Sequence, residues 1–392
     1  MNFLKFCVLV WVQKILKTSL IFYACLICFH WSSSALAKEL PLAMIPIQGG
    51  QAASANQILS YEIKRSAFFY LAQAQPGAFV LKARFVKKGL EGELLHPDGH
   101  QLFKRVYNNG VLKTDLRQLS DDVVHAATGH PGIATSQIAF ISARNGKADI
   151  YVCDYDGKNI RQITTDGLPK RHPCLSPNGR FVYFTGMEPS SAGIYRIDLS
   201  NDQRSRIALT YGNASEKAVV SPDGKQLVLV LSEQGNSDLY ISRNTGKSRR
   251  RLTSSPIAEI QPSWSGDGKS LVYTAVVDAG KTQLFVISSK DGKHPTALAI
   301  KLATPAQACW SPDGKRIAFV SGGSKNASIT IHDLGDRSTR VLTRGQSPVW
   351  GADSRHLIYT DRGALYRIDA NTGAKGQILS DGTPVYDPSW TR

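Results

Sequence analysis

Three carboxylates raise the question of chemistry. Glu216, Glu259 and Asp387 each stand a few residues ahead of a similar apolar segment, in well-separated parts of the chain. Carboxylates and amides converging on one channel can hold a divalent cation and activate water, the chemistry of a metal-dependent lactonase. The positions equivalent to them elsewhere carry Gln307 and Gln346, which argues for shared loop polarity and against a metal centre. His96 and His100 flank Pro97-Asp98-Gly99, a weak metal pattern around a strong turn signal. Nucleophilic hydrolysis lacks its signature, since no G-x-S-x-G occurs. Sialidase-type serine-x-Asp-x-Gly-x-x-Trp boxes are absent too, because Asp and Gly are adjacent in the recurrent turns. Of six cysteines, three fall in the first 37 residues. Cys153, Cys174 and Cys309 sit in apolar strand patterns and read as small buried hydrophobes, so no disulfide framework or cysteine chemistry is expected.

The elements that would position these residues are set by a repeat. LSPNGR begins at Leu175, VSPDGK at Val220, WSGDGK at Trp264, WSPDGK at Trp310 and a decayed WGADSR at Trp350, with a last Pro-Ser-Trp ending at Trp390. The spacing is 40 to 46 residues. Proline fixes one φ, Asp bonds the backbone two residues on, and glycine supplies φ > 0, so the motif is a turn. After each turn comes an alternating apolar run such as FVYFTG (181–186), LVLVLS (227–232) or IAFVSG (317–322). A second run follows (IYRID, LYISR, LFVIS, ITIHD, LYRID), then a third such as RRRLT or TRVLT. Four short strands at this period make one propeller blade. Second strands number six, starting with IAFIS at Ile138, but the first of them lacks its own innermost strand. The sequence therefore predicts a mainly β chain: a six-bladed β-propeller over 138–392, closed by the C-terminal strand ending at Trp390. Trp264, Trp310, Trp350 and Trp390 are expected to pack blade against blade.

Residues 38–130 do not repeat and predict a small α/β domain. Ala55–Leu71 carries helical spacing, FVLKARFVKKG and LEGELLHPDGHQLFKRV alternate as strands, and Leu116–Gly129 reads as a second helix with Ser120 as its cap and Gly129 as its stop. The short link HPGIATSQ implies that the domains pack together. Residues 1–37 hold three lysines, no acid, the apolar run SLIFYACLICF and Ala35-Leu36-Ala37, the anatomy of a cleaved secretory signal peptide. The formal charge of +16 is scattered over turns without stacking aromatics, so nucleic acid is not an expected partner.

The blade consensus, the run VVHAATGHPGIATSQIAFISARNGKADIYVCDYDG (123–157) and the terminal VYDPSW resemble the TolB family, periplasmic propellers of the Tol-Pal cell-envelope system. The likeness covers about 116–392. It implies a periplasmic, non-enzymatic, monomeric scaffold without cofactor. Its partner would be a Pal-like peptidoglycan-associated lipoprotein received at the propeller mouth, and its role would lie in envelope integrity and outer-membrane constriction at division. The family engages the inner-membrane protein TolA through an extended amino-terminal arm; here only KELPLA precedes MIPIQ, so a TolA-like contact lacks its arm. The α/β domain also reads as short by a strand-helix unit. On this reading the mouth is built by loops leading into the innermost strands, with Arg171, His172, Glu216, Lys217, Glu259, Gln261, Gln307, Gln346 and Asp387 as the binding residues. The competing expectation is a propeller enzyme, lactonase-like or hydrolase-like, using the channel carboxylates.

Overall fold

A computed structural model describes residues 39–392 except 145, 189–190, 211–216, 234, 279, 324–325, 380 and 392. The signal-peptide expectation and Glu216 fall outside the described residues.

The chain first builds a mixed five-stranded sheet from β1 (Leu40–Ile45), β2 (Phe69–Ala72), β3 (Phe79–Val86), β4 (Gly89–Leu95) and β5 (Gln101–Tyr107), in the spatial order β2-β1-β3-β4-β5. Two helices, α1 (Ala52–Arg65) and α2 (Leu112–Thr128), cover it and bury Leu59, Ile63, Leu116, Leu119 and Val123 against Leu42, Leu81 and Leu94. Both helices differ from expectation. The first ends at Arg65 because Ala67 adopts φ 60°, and the aromatic run that follows pairs in parallel with β1 as β2. Sheet pairing overrides the helical spacing there, and it supplies the strand that seemed missing after the helix. The second helix starts at Leu112, so Ser120 is a buried interior residue and not a cap. Gly129, at φ 74°, does terminate it.

Six four-stranded antiparallel sheets follow. Blade one combines Gln137–Ser142, Asp149–Asp154 and Arg161–Gln162 with the last strand, Val385–Trp390, whose register sets Trp390 beside Ile138 and Val385 beside Ser142. The ring thus closes through the C-terminal strand. Blades two to six have as innermost strands Lys170–Leu175, Lys217–Val220, Glu259–Trp264, Ala306–Trp310 and Gln346–Trp350.

The recurrent turn is stabilised within itself. In blade five Ser311 Oγ donates to Asp313 Oδ1 at 2.6 Å and accepts from Arg316 N at 2.9 Å, while Asp313 Oδ1 accepts from Lys315 N. The same bonds recur around Ser221 and Ser265. Each tryptophan packs on a neighbouring blade: Trp264 lies among Val228, Val230 and Leu239 of blade three, and Trp350 among Ala318, Ile329 and Ile331 of blade five. Their indole N–H groups donate to Val219 O and Cys309 O of those same neighbours, so each ring is buried with its polar atom satisfied. Cys153, Cys174 and Cys309 are buried and joined in no disulfide.

The α/β domain meets the propeller at the turn end of the innermost strands. Arg117 of α2, almost wholly buried, donates to Glu62 at 3.0 Å within its own domain and to Asp154 and Asp156 of blade one at 2.7 Å each. Tyr155 of that hairpin donates to the other oxygen of Glu62. Trp390 Nε1 donates to Ser136 Oγ in the link between the domains. Removing one member of such a buried ionic set leaves uncompensated charge, which fixes the domains relative to each other.

Candidate functional site

The opposite end of the innermost strands opens into the central channel. Six residues stand at the same point of the six strands and line it: Asp387, His172, Lys217, Gln261, Gln307 and Ser347, in blades one to six. All are half-buried. Five of them have a left-handed backbone, with φ between 46° and 53°: Asp387, His172, Gln261, Gln307 and Ser347. At each of these five the ladder to the second strand slips by a bulge. A bulge leaves one residue unpaired and re-aims it. Pro173, Pro262, Pro348 and Pro388 follow directly, where the unpaired inner edge of the sheet can dispense with a donor.

Side chains then hold one blade to the next. Gln261 Oε1 accepts from Gln307 N at 2.8 Å, and Gln307 Oε1 accepts from Ser347 N at 2.8 Å. Asp387 Oδ2 stands in the same relation to His172 N at 3.5 Å, and lies 3.4 Å from His172 Nδ1. Burial opposes the Asp387 charge, but the His172 imidazole and Lys217 outweigh it and hold the carboxyl below its ordinary range. The ring is therefore divided. Asp387, His172 and Lys217 form a charged arc over three adjacent blades, and Gln261, Gln307 and Ser347 form a neutral arc over the other three. The cavity between them measures about 140 Å³.

Of the nine residues expected at the mouth, His172, Lys217, Gln261, Gln307 and Asp387 are in this ring. Arg171 and Gln346 lie one residue outside it, exposed at the rim with Tyr386. Gln346 is not in register with Gln307: the residue three before Trp350, as Gln307 is before Trp310, is Ser347, and it is the one turned inward. Ser347 was missed; its signal was the position three residues before the tryptophan and one before the proline. Glu259 is buried away from the channel, with Oε1 accepting from Ser255 Oγ at 2.7 Å, and burial raises its carboxyl above the usual range. It precedes Gln261 by two residues, so it is not equivalent to Asp387. Glu259 and Asp387 thus do not converge, and of these two Asp387 faces the channel.

Comparison with known proteins gives a consistent result. The family described as PD40, the TolB beta propeller domain, matches residues 124–392. A protein TolB homolog of Chlorobium chlorochromatii is 31% identical over 191 residues, 47% of this chain and 42% of its own length. A Tol-Pal system protein TolB of Francisella tularensis is 28% identical over 280 residues, 68% of this chain and 62% of its own. The chain thus spans less than two thirds of the length of these curated relatives. In three dimensions it resembles TolB from Acinetobacter baumannii, with a TM-score of 0.75 over 90% of this chain and 97% of that one at 22% identity. A nidogen/laminin complex shares the fold at a TM-score of 0.54, over 66% of this chain and 98% of that one, with 12% identity.

Proposed function

This chain belongs to the TolB propeller family, and on that footing we propose that it is a non-enzymatic periplasmic scaffold of a Tol-Pal-like system. It receives a Pal-like peptidoglycan-associated lipoprotein at the channel mouth and contributes in that way to envelope integrity and to outer-membrane constriction at division. The observation that carries the reading is the six-residue ring with its exposed rim. The blades leave their free edges at the perimeter and around the channel, and the loops at the mouth are the surface offered for recognition. The divided ring gives such a partner a register, since a charged group is accepted on the Asp387–His172–Lys217 arc and an amide or hydroxyl on the other.

The test is capture of the purified lipoprotein. His172→Ala combined with Lys217→Ala should weaken it at least tenfold, or about 1.4 kcal/mol, as expected for central contact residues. Lys225→Ala combined with Lys269→Ala, at exposed positions on the turn end, should leave capture within about twofold. The reverse pattern would move the binding face to the turn end.

A further inference from the structure

We propose that the tip of the β4–β5 hairpin, His96, Asp98 and His100, is a binding site for a borderline transition-metal dication, Zn²⁺ above all. This site lies in the α/β domain and does not depend on the channel or on its partner. The hairpin turns tightly, with Gly99 N donating to His96 O and His96 N donating to His100 O, both at 2.8 Å. That geometry brings three donors to one side. His96 Nδ1 lies 3.0 Å and His100 Nδ1 2.5 Å from the same oxygen, Asp98 Oδ1, and the three ligand atoms fall within 4.8 Å of one another.

The turn by itself explains only the aspartate, which accepts from His100 N at 3.1 Å. A turn of this kind requires neither imidazole. The rings are nevertheless organised: they stack at 4.6 Å with 28° between their planes, and His96 is braced edge-on by Phe79 at 5.5 Å. Asp98 N donates to His96 Nδ1 at 3.4 Å, so this nitrogen carries the ring's lone pair at the tip, and a metal would take it in place of that long bond. Two imidazole nitrogens with one carboxylate suit zinc, nickel or copper, whereas calcium and magnesium select oxygen donors. Tetrahedral zinc with bonds of about 2.0–2.1 Å holds its donors roughly 3.4 Å apart, so the two imidazole nitrogens would draw back from Asp98 Oδ1 by less than about 1 Å on binding. Water would complete a four-coordinate shell, because all three side chains are open to solvent on their outer side.

Zinc chloride titrated calorimetrically into the tag-free protein tests this. One equivalent should bind through this hairpin, and a tenfold excess of Ca²⁺ should not displace it. His96→Ala and His100→Ala should each weaken that equivalent at least tenfold. Asp98→Asn should weaken it as well, while its amide oxygen preserves the turn and the melting temperature; this separates ligation from hairpin integrity. Unchanged zinc stoichiometry and affinity in the His96→Ala/His100→Ala double variant would overturn the proposal, and so would displacement by equimolar Ca²⁺.

Discussion

The two ends of the innermost strands solve different problems with residues of similar polarity. At the turn end, Ser311, Asp313 and Gly314 satisfy one another and their own backbone within five residues. The same bonds recur blade after blade, because the requirement is local and identical each time. At the mouth end the polar side chains reach across blades, as when Gln261 accepts the amide of Gln307. Each blade there faces a different neighbour, and the six positions hold six residues of five types. Regular chemistry marks where the backbone dictates the residue. Variation at a fixed position marks where the backbone only presents it, and that end is the one proposed for recognition.

The strongest way to break this comparison is to remove the strand that carries both ends. Deleting Val385–Arg392 takes Asp387 from the ring and Trp390 from the packing between blades, and leaves Gln137–Ser142 an open inner edge. Losing a buried tryptophan alone costs roughly 3–5 kcal/mol, against a total of about 5–15 kcal/mol for a domain. The truncated protein should lose its cooperative thermal transition or melt far below the full chain. A melting point within about 2 °C of it would contradict closure by this strand.

A smaller change sharpens the turn end. Gly266 stands where three other copies have Pro177, Pro222 and Pro312, so the repeat pattern nominates Gly266→Pro as stabilising. In the fold, a Cβ at Gly266 would meet Pro312 O of the next blade at 1.7 Å. Gly266→Pro should therefore destabilise by about 1–3 kcal/mol in urea unfolding. A gain in stability would show that the turn is governed by local conformation alone.

The smallest effect belongs to the mouth. Asp387 has its folded-state pKa held below the ordinary value, so its contribution is present above the unfolded pKa and is lost as pH falls through the folded one. Asp387→Asn should be less stable than the parent at pH 7 by about 1 kcal/mol, and the gap should shrink steadily below about pH 4. A gap that widens toward acid would mean that the carboxyl is not paired with His172 and Lys217.

The period of 40–46 residues, the four alternating runs in each repeat and the offset between first and second strands determined the six blades and their closure by Trp390. Those features are legible because turn chemistry and strand alternation act over a few residues and repeat. The tertiary structure alone decided the rest. It converted the end of an apparent helix into β2, because a partner strand was available in β1. It buried Glu259, two residues ahead of Gln261, away from the channel, and it turned Gln307, Ser347 and their counterparts inward through left-handed bulges that a period-two pattern does not record. It also joined Glu62, Arg117, Asp154 and Asp156 across the domain boundary. The physical reason is one of range: a turn is specified by its own residues, whereas a channel and a domain interface are specified by which distant residues packing brings face to face.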